Sequence, residues 1–324
     1  MCIRDRASGC QPALLTRLSQ MNRYIIQRVF QAMLTIVVVS IVVFLSVQLS
    51  GDPAALLVPE TASVEDIEIM RRRLGLDRPL YVQYLLFMRD VWRGDIIRSF
   101  RYSDPLLPLI LGALRHTLVL AAGAIFISVL IAIPLGTLAA LKRESGLDVG
   151  IRVVAVFGQS MPSFWVAMLL MLFFAVRLQI LPVSGLGVKN AILPMATLAF
   201  FQIAVLMRLF RSEMLEIMHQ DYVRTARAKG LQESVVVARH AFKNAALPVL
   251  TMAGLLLSGL ILGAVVVEPI FAWPGLGHLM VNAVFARDYP IVVGGAIVAA
   301  VRVTSVNLVV DILYGFMDPR IRVE

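Results

Sequence analysis

The segment "DYVRTARAKGLQESVVVARHAFKNAALP" (Asp221–Pro248) decides how this chain is read. It is polar, basic and helix-prone, with one glycine, Gly230, near its centre, and apolar runs long enough to cross a bilayer flank it on both sides. Asp221 is suited to cap a helix start, since its carboxylate can accept free first-turn N–H groups. The pattern predicts a short helix over Tyr222–Lys229, with Arg227 and Lys229 at its C-terminal end where cations offset the helix dipole. Gly230 is placed to stop that helix in the left-handed conformation. A second helical stretch is expected from Gln232 through Val235, Val236, Ala238, Ala241 and Phe242 toward the next apolar run, with Pro248 early in it. An isolated helix of two turns is marginal in water and needs a surface to lie on. Its apolar face is small (Tyr222, Val223, Ala226, Ala228), which suits close approach to protein better than burial in lipid.

Outward from this segment the chain reads as an integral membrane protein. It is 59% hydrophobic and 16% charged over 324 residues, well away from a soluble domain's balance. The formal charge of +9 does not indicate nucleic acid, because the cations gather at the ends of apolar runs, where they set topology and meet anionic lipid. The two cysteines, Cys2 and Cys10, form neither a disulfide framework nor a CxxC site. Residues 1–20 lack apolar periodicity and are set apart as a non-native or disordered extension, with "MNRYIIQRVF" as the natural start.

Six spans of about 20 residues are expected: Val29–Leu49, Thr117–Leu141, Val149–Val176, Ala191–Phe210, Ala245–Val267 and Ile291–Phe316. The first exceeds the apolar core of a signal peptide and lacks a cleavage site. The organisation expected is a first transmembrane helix within 21–50 and an extracytoplasmic loop, 51–116, with short helices at Val64–Leu74 and Pro79–Trp92. A five-helix core at 117–318 follows, with a coupling loop at 212–244, and then a tail at 319–324. Arg23, Arg28, Lys142, Arg143, Arg152, the quoted segment, Arg320 and Arg322 fall on one side if the spans alternate, which makes that side and both termini cytoplasmic. Pro134 and Gly136 interrupt the second span, and "GQSMPSF" (Gly158–Phe164) the third. Irregular backbone at membrane depth belongs where protein or a water-filled path satisfies it, so Ser160 and Pro162 are candidate pathway residues.

The chemistry of an engine is missing. There is no GxxxxGK[ST] loop, no HExxH and no nucleophile elbow, and the four histidines have no metal-ligand spacing. Carboxylates within the spans are nearly absent: Glu268 sits at the outer end of the fifth and Asp311 near the inner end of the sixth. Arg302 is the ionisable group near the midplane, and it is read as a pathway residue, a residue paired with a neighbouring helix or partner, or a snorkelling side chain. An ion-coupled secondary carrier would need coordinating groups at that depth. An intramembrane enzyme would need a catalytic constellation, and a non-transporting membrane scaffold would keep the basic loop only for docking.

"DYVRTARAKGL" followed by "RHAFKNAALPVLT" resembles the cytoplasmic coupling loop, or EAA loop, of ABC-importer permeases. Arg224-Thr225-Ala226 stands where EAA would, and Gly230 fits. Leu247-Pro248 arrives later than in the general pattern, a departure that is itself a feature of the dipeptide/oligopeptide subfamily. Leu74–Phe100, Ser160–Gly185, "VVVEPIFAWPGLG" (Val265–Gly277), "ARDYP" (Ala286–Pro290) and "DPRIR" (Asp318–Arg322) resemble B-type permeases of that peptide/nickel family in order, over Met21 to Arg322. The resemblance does not include Arg302. It implies an all-α integral membrane protein with six transmembrane helices, type I importer permease architecture and a cytoplasmic coupling helix, in a prokaryotic inner membrane. Asp221, Tyr222, Arg224, Thr225, Ala226, Arg227, Lys229, Gly230 and Pro248 would form the ATPase-coupling loop. It further implies no catalytic residue, cofactor or metal in this chain. ATP and Mg would be bound by two cytoplasmic ATPase partners, a second homologous permease would complete a heterodimer, and an extracytoplasmic binding protein would deliver a peptide-like solute.

Overall fold

The structure is a computed structural model that describes residues 10–49, 54, 63–73, 75–93 and 105–317. Among these there are helices and no strand. The helices are α1 (Cys10–Leu49), α2 (Val64–Arg73), α3 (Leu80–Arg93), α4 (Leu106–Leu141), α5 (Gly146–Ser160), α6 (Ser163–Leu170), α7 (Val188–Met218), α8 (Asp221–Ala228), α9 (Phe242–Ile270), α10 (Leu276–Phe285) and α11 (Tyr289–Met317). Residues 1–9, most of 50–62, residue 74, residues 94–104 and the 319–324 tail lie outside the described residues.

Among the described residues, five helices are long and apolar enough to span a membrane, and a sixth span is obtained if α5 and the α6 segment are taken together. With that pair counted as one span the six-span expectation is met, with four corrections. First, α1 begins at Cys10, so residues 10–20 continue the helix of the first span; once a helix is nucleated, each further residue adds a hydrogen bond at little cost. Second, α4 starts at Leu106 and runs unbroken through Pro134. At 36 residues it is roughly 54 Å long, more than a hydrocarbon core of about 30 Å. Gly136 does not interrupt it either. It permits contact, since a Cβ there would lie 2.9 Å from the Met207 carbonyl oxygen. Third, the break in the third span is sharper than a kink: α5 and the helix ending at Arg177 meet at 109°. Pro162 stands at the N-cap of α6 in extended conformation, as a proline that cannot continue a helix requires. Fourth, between Ile270 and Tyr289, expected as a short loop, lies the additional helix α10.

The core is built on α4, α7 and α9. At one end Ala132, Ala140, Phe210, Met214, Ala245 and Val249 pack with Ala155 of α5. Further along, Leu120, Ala124, Leu198, Ala199 and Leu260 pack with Ala167 of α6. At the other end Leu106 and Ile110 meet Leu276 of α10 and Ile291 of α11. Small residues recur on the buried face of α4 (Ala121, Ala124, Ser128, Ala132, Gly136), and the Ser128 hydroxyl lies 3.3 Å from the Ala199 carbonyl of α7. In lipid, where apolar burial gives no advantage between helices, such close packing holds helices together.

The long loop folds back on the first span. Ser63 caps α2 reciprocally with Asp66: the Ser63 Oγ accepts from the Asp66 N–H at 3.2 Å, and Asp66 Oδ2 accepts from the Ser63 N–H at 3.0 Å. The Ser63 hydroxyl also donates to Asp66 Oδ2 at 2.8 Å, and this bond first, then the one from the Ser63 N–H, holds the Asp66 carboxyl below its ordinary range. Tyr84 of α3 reaches α1, with its hydroxyl 2.7 Å from Ser40 Oγ and its ring 5.5 Å from Phe44.

Candidate functional site

The short helix predicted from the polar segment is α8, and it begins one residue earlier than expected. Its N-cap is Gln220, which makes no side-chain cap bond. Asp221 is therefore not the cap; it occupies the first helical position, nearly fully exposed, 3.8 Å from Arg224. The tight turn out of α7, in which the Gln220 N–H donates to the Ile217 carbonyl at 3.0 Å, moves the start back by one residue. An acidic residue there still faces the positive end of the helix dipole. Lys229 is the C-cap, and Gly230 follows at φ +74 with its N–H donating to the Arg227 carbonyl at 2.9 Å. The left-handed stop expected of Gly230 is present.

α8 has two faces. Val223 and Ala226 are buried, packed with Val236, Ile217 and Met218. Thus Ala226, expected to meet another protein, packs within this chain. Asp221, Tyr222, Arg224, Thr225, Ala228 and Lys229 are exposed. Two further contacts fix the helix. Arg227 donates to both Glu233 oxygens, at 3.0 and 2.7 Å, which raises the guanidinium further above its ordinary range. The Asn244 amide donates to the Tyr222 hydroxyl at 2.9 Å. The relative magnitudes identify the anchor. Full burial of a valine contributes about 1.5–3 kcal/mol, whereas an exposed ion pair contributes about 0–1 kcal/mol; both Arg227 and Glu233 are more than a third exposed. Val223 is therefore the main attachment of α8, and Arg227–Glu233 sets its orientation.

Beyond Gly230 the chain turns back into helix at Glu233–Val235 and passes through a π-helical stretch, Val236–Ala241, into α9. Pro248 lies inside α9, after the region that contacts α8. Arg208, Arg239 and Lys243, together with Arg224 and Lys229, are exposed at this end of the molecule.

Of the three candidate pathway residues, Ser160 and Pro162 fall together. Ser160 and Pro162 line a cavity of about 350 Å³ at the α5–α6 break, closed on the far side by Thr197, Phe200 and Phe201 of α7. The Ser160 hydroxyl donates to the Val156 carbonyl at 2.9 Å and the Thr197 hydroxyl to the Leu193 carbonyl at 2.9 Å, so both oxygens keep acceptor capacity toward the cavity. Gln159, which also lines it, has a buried amide nitrogen without a partner among the described residues. Among the described residues, no charged side chain lines this space.

Arg302 joins neither group. It is buried in α11, and its three guanidinium nitrogens have no hydrogen-bond partner among the described residues. Glu268 interacts with it electrostatically without forming an ion pair. The Glu268 carboxylate is used elsewhere. It accepts from the Thr117 hydroxyl at 2.6 Å and from the N–H groups of Gly277 and His278 at 2.7 and 3.1 Å. The Thr117 oxygen in turn accepts from the Leu276 N–H at 2.8 Å. Glu268, fully buried, thus caps α10 from a neighbouring helix. Sequence reasoning missed this role, although a lone acid followed by the glycines of "PGLG" is the signal for it. Among the described residues, no group of three His, Cys, Asp or Glu side chains is arranged to hold a metal ion.

Comparison with known proteins covers most of the chain. The family "Binding-protein-dependent transport system inner membrane component" matches residues 132–323, and its N-terminal companion family matches residues 21–121. A Brucella abortus (strain 2308) protein named for a peptide transport system permease is 43% identical over 314 residues, covering 94% of this chain and 100% of that protein. The oligopeptide transport system permease protein AppB of Bacillus subtilis is 38% identical over 314 residues, covering 93% and 99%. The Escherichia coli protein DdpB, named for a D,D-dipeptide transport system permease, is 38% identical over 326 residues, covering 91% and 96%.

Proposed function

Because the chain belongs to the binding-protein-dependent transport system inner membrane component family, we propose that it is one permease subunit of an ATP-binding-cassette importer for peptides or related small solutes. It forms half of a translocation pathway. A second, homologous permease completes that pathway, two cytoplasmic ATPase subunits bind ATP and Mg, and an extracytoplasmic binding protein delivers the solute. The names of the relatives support the solute class.

The observation that carries the coupling role is the two-faced attachment of α8. Its inner face is locked to its own chain through Val223 and Ala226, while Tyr222, Arg224, Thr225 and Lys229 are left exposed. A helix fixed on one side and free on the other transmits displacement. The exposed face docks in a cleft of an ATPase subunit, and closure of the ATPase pair on ATP drags α8. Because α7 enters α8 through the tight His219–Gln220 turn, little slack intervenes and α7 follows as a rigid body. The cavity at Ser160 and Pro162, one wall of which is α7, lies on the route whose access then alternates.

In this reading α8 and both termini face the cytoplasm and the 51–116 loop faces outward. Cysteines placed at Ser63 and Ser234 test it in intact cells. An impermeant thiol reagent is expected to label position 63 and spare position 234; the reverse pattern inverts the topology and removes α8 from any cytoplasmic ATPase.

A further inference from the structure

A second buried charge cluster lies at the same end of the molecule as α8, and neither the sequence reading nor the site above accounts for it. Asp148, in the first turn of α5, is completely buried. Its carboxylate accepts from Arg211 of α7 through both oxygens, at 2.6 and 2.8 Å, a bidentate charge-assisted contact of the strongest kind. It also accepts from the Glu144 N–H at 3.1 Å, and Arg152 lies 3.5 Å away. Glu144 is in the left-handed region at φ +63, which a non-glycine residue keeps only where its surroundings over-determine it. The turn between α4 and α5 is thus tied to α7.

The position of this pair matters more than its strength. Arg211 lies seven residues before the end of α7 at Met218, roughly 10 Å along the helix. α5 runs antiparallel to α7 from Asp148 to the cavity, and Gly158 near its far end approaches Ala204 of α7 closely. α5 and α7 therefore form two legs, pinned at the base by Asp148–Arg211 and enclosing at the top the cavity lined by Gln159, Ser160, Thr197 and Phe201.

We propose that the part-buried Asp148–Arg211 pair is the strut that makes α5 move with α7, so that displacement of α8 reaches both walls of the cavity. The proposal rests on the reading of α8 as the ATPase-docking helix. A bidentate pair with a third hydrogen bond at the same carboxylate adds a directional contact that fixes the register of the two helices at this point. Asp148 is in this sense a positioning residue, acting through Arg211 and belonging neither to α8 nor to the cavity lining.

The test uses the complete complex with its ATPase subunits, with Cys2 and Cys10 replaced by serine. Spin labels at Gln220→Cys, the exposed N-cap of α8, and Val309→Cys report α8, and labels at Val154→Cys and Val309→Cys report α5. Electron–electron distances are compared between the nucleotide-free and ATP–vanadate states. Without further substitution, both distances are expected to change on trapping. With Asp148→Asn, the α8 change is expected to persist and the α5 change to be lost. Arg211→Lys keeps a cation beside the buried carboxylate, and so the fold, but gives up bidentate contact. It is expected to reduce the α5 change without abolishing it, and it carries the test if Asp148→Asn does not fold. Undiminished α5 movement in the foldable variants overturns the strut. If α8 itself does not move although vanadate is trapped, the docking reading fails, and the strut, with nothing to transmit, fails with it.

Discussion

Gly230 offers the cleanest perturbation of the proposed coupling segment. Its φ is +74, and nothing lies within 4 Å of where a Cβ would stand. A side chain here therefore meets open space, and the cost of substitution is conformational. The left-handed region costs an ordinary L-residue about 1–2 kcal/mol, a factor of roughly 5–30 in an equilibrium. If Gly230 leaves this conformation, the chain direction into Glu233 changes, and Glu233 is the residue whose carboxylate orients Arg227. Val223 keeps α8 attached, but its exposed face is misdirected. Expression, membrane insertion and the six spans should be unaffected. The assay is co-purification of the ATPase subunits with Gly230→Asn, Gly230→Ala and Gly230→Val, followed by ATP-driven uptake in proteoliposomes. Asparagine tolerates the left-handed region, alanine less, and a β-branched residue least. Binding should fall in that order, with Gly230→Asn near the unsubstituted protein and Gly230→Val lowest. Equal losses in all three would refute the conformational argument, and wild-type binding and uptake by Gly230→Val would make the segment an ordinary solvated loop.

Two other substitutions probe groups away from α8. Glu268→Gln replaces a buried acceptor of three hydrogen bonds by an amide with one acceptor oxygen, whose NH2 must face either the Thr117 hydroxyl or the two backbone N–H groups. A bond to a charged group contributes about 1.5–3 kcal/mol, so the variant should show a lower Tm and faster proteolysis next to α10; unchanged values would mean that the cap is not structural. Arg302→Met removes a buried cation that has no hydrogen-bond partner among the described residues. Such a charge is not stabilising in the isolated subunit, so thermal stability should hold or rise and ATPase co-purification should persist while uptake falls. Loss of assembly with the second permease would instead identify Arg302 as one half of an ion pair between subunits.

The parts legible in the sequence were those governed by local rules. Apolar length marked the spans, and the basic segment with Gly230 marked the end of α8 to within a residue. Asp221 was misread as the cap because capping preference is a statement about residue type. The cap position here is set by the α7–α8 turn, which puts Gln220 there. Pro134 was misread as a break because a proline also costs little where flanking helix and neighbours hold the backbone, and α4 is packed along its length by α7. Pro162 does break its span, since Ser160 and Pro162 sit where α5 has already turned away. What the sequence did not show were pairings between distant positions: Glu268 with Thr117 and the start of α10, and Asp148 with Arg211, 63 residues apart. In both cases a buried carboxylate is matched by donors that no periodicity connects to it.

The central claim, that the exposed face of α8 docks against a cytoplasmic ATPase while its buried face belongs to this chain, is tested most directly by site-specific cross-linking in the assembled complex. Single cysteines at Arg224 and at Ala226, with Cys2 and Cys10 replaced, are paired with a short bifunctional thiol reagent and a cysteine scan of the ATPase cleft. Arg224 is 71% exposed at its side chain, whereas Ala226 is 5% exposed. The account predicts an ATPase adduct from position 224, altered in yield by ATP–vanadate, and none from position 226. Absence of any adduct from 224 in a complex that hydrolyses ATP and transports, or an adduct from 226 in its place, would contradict it.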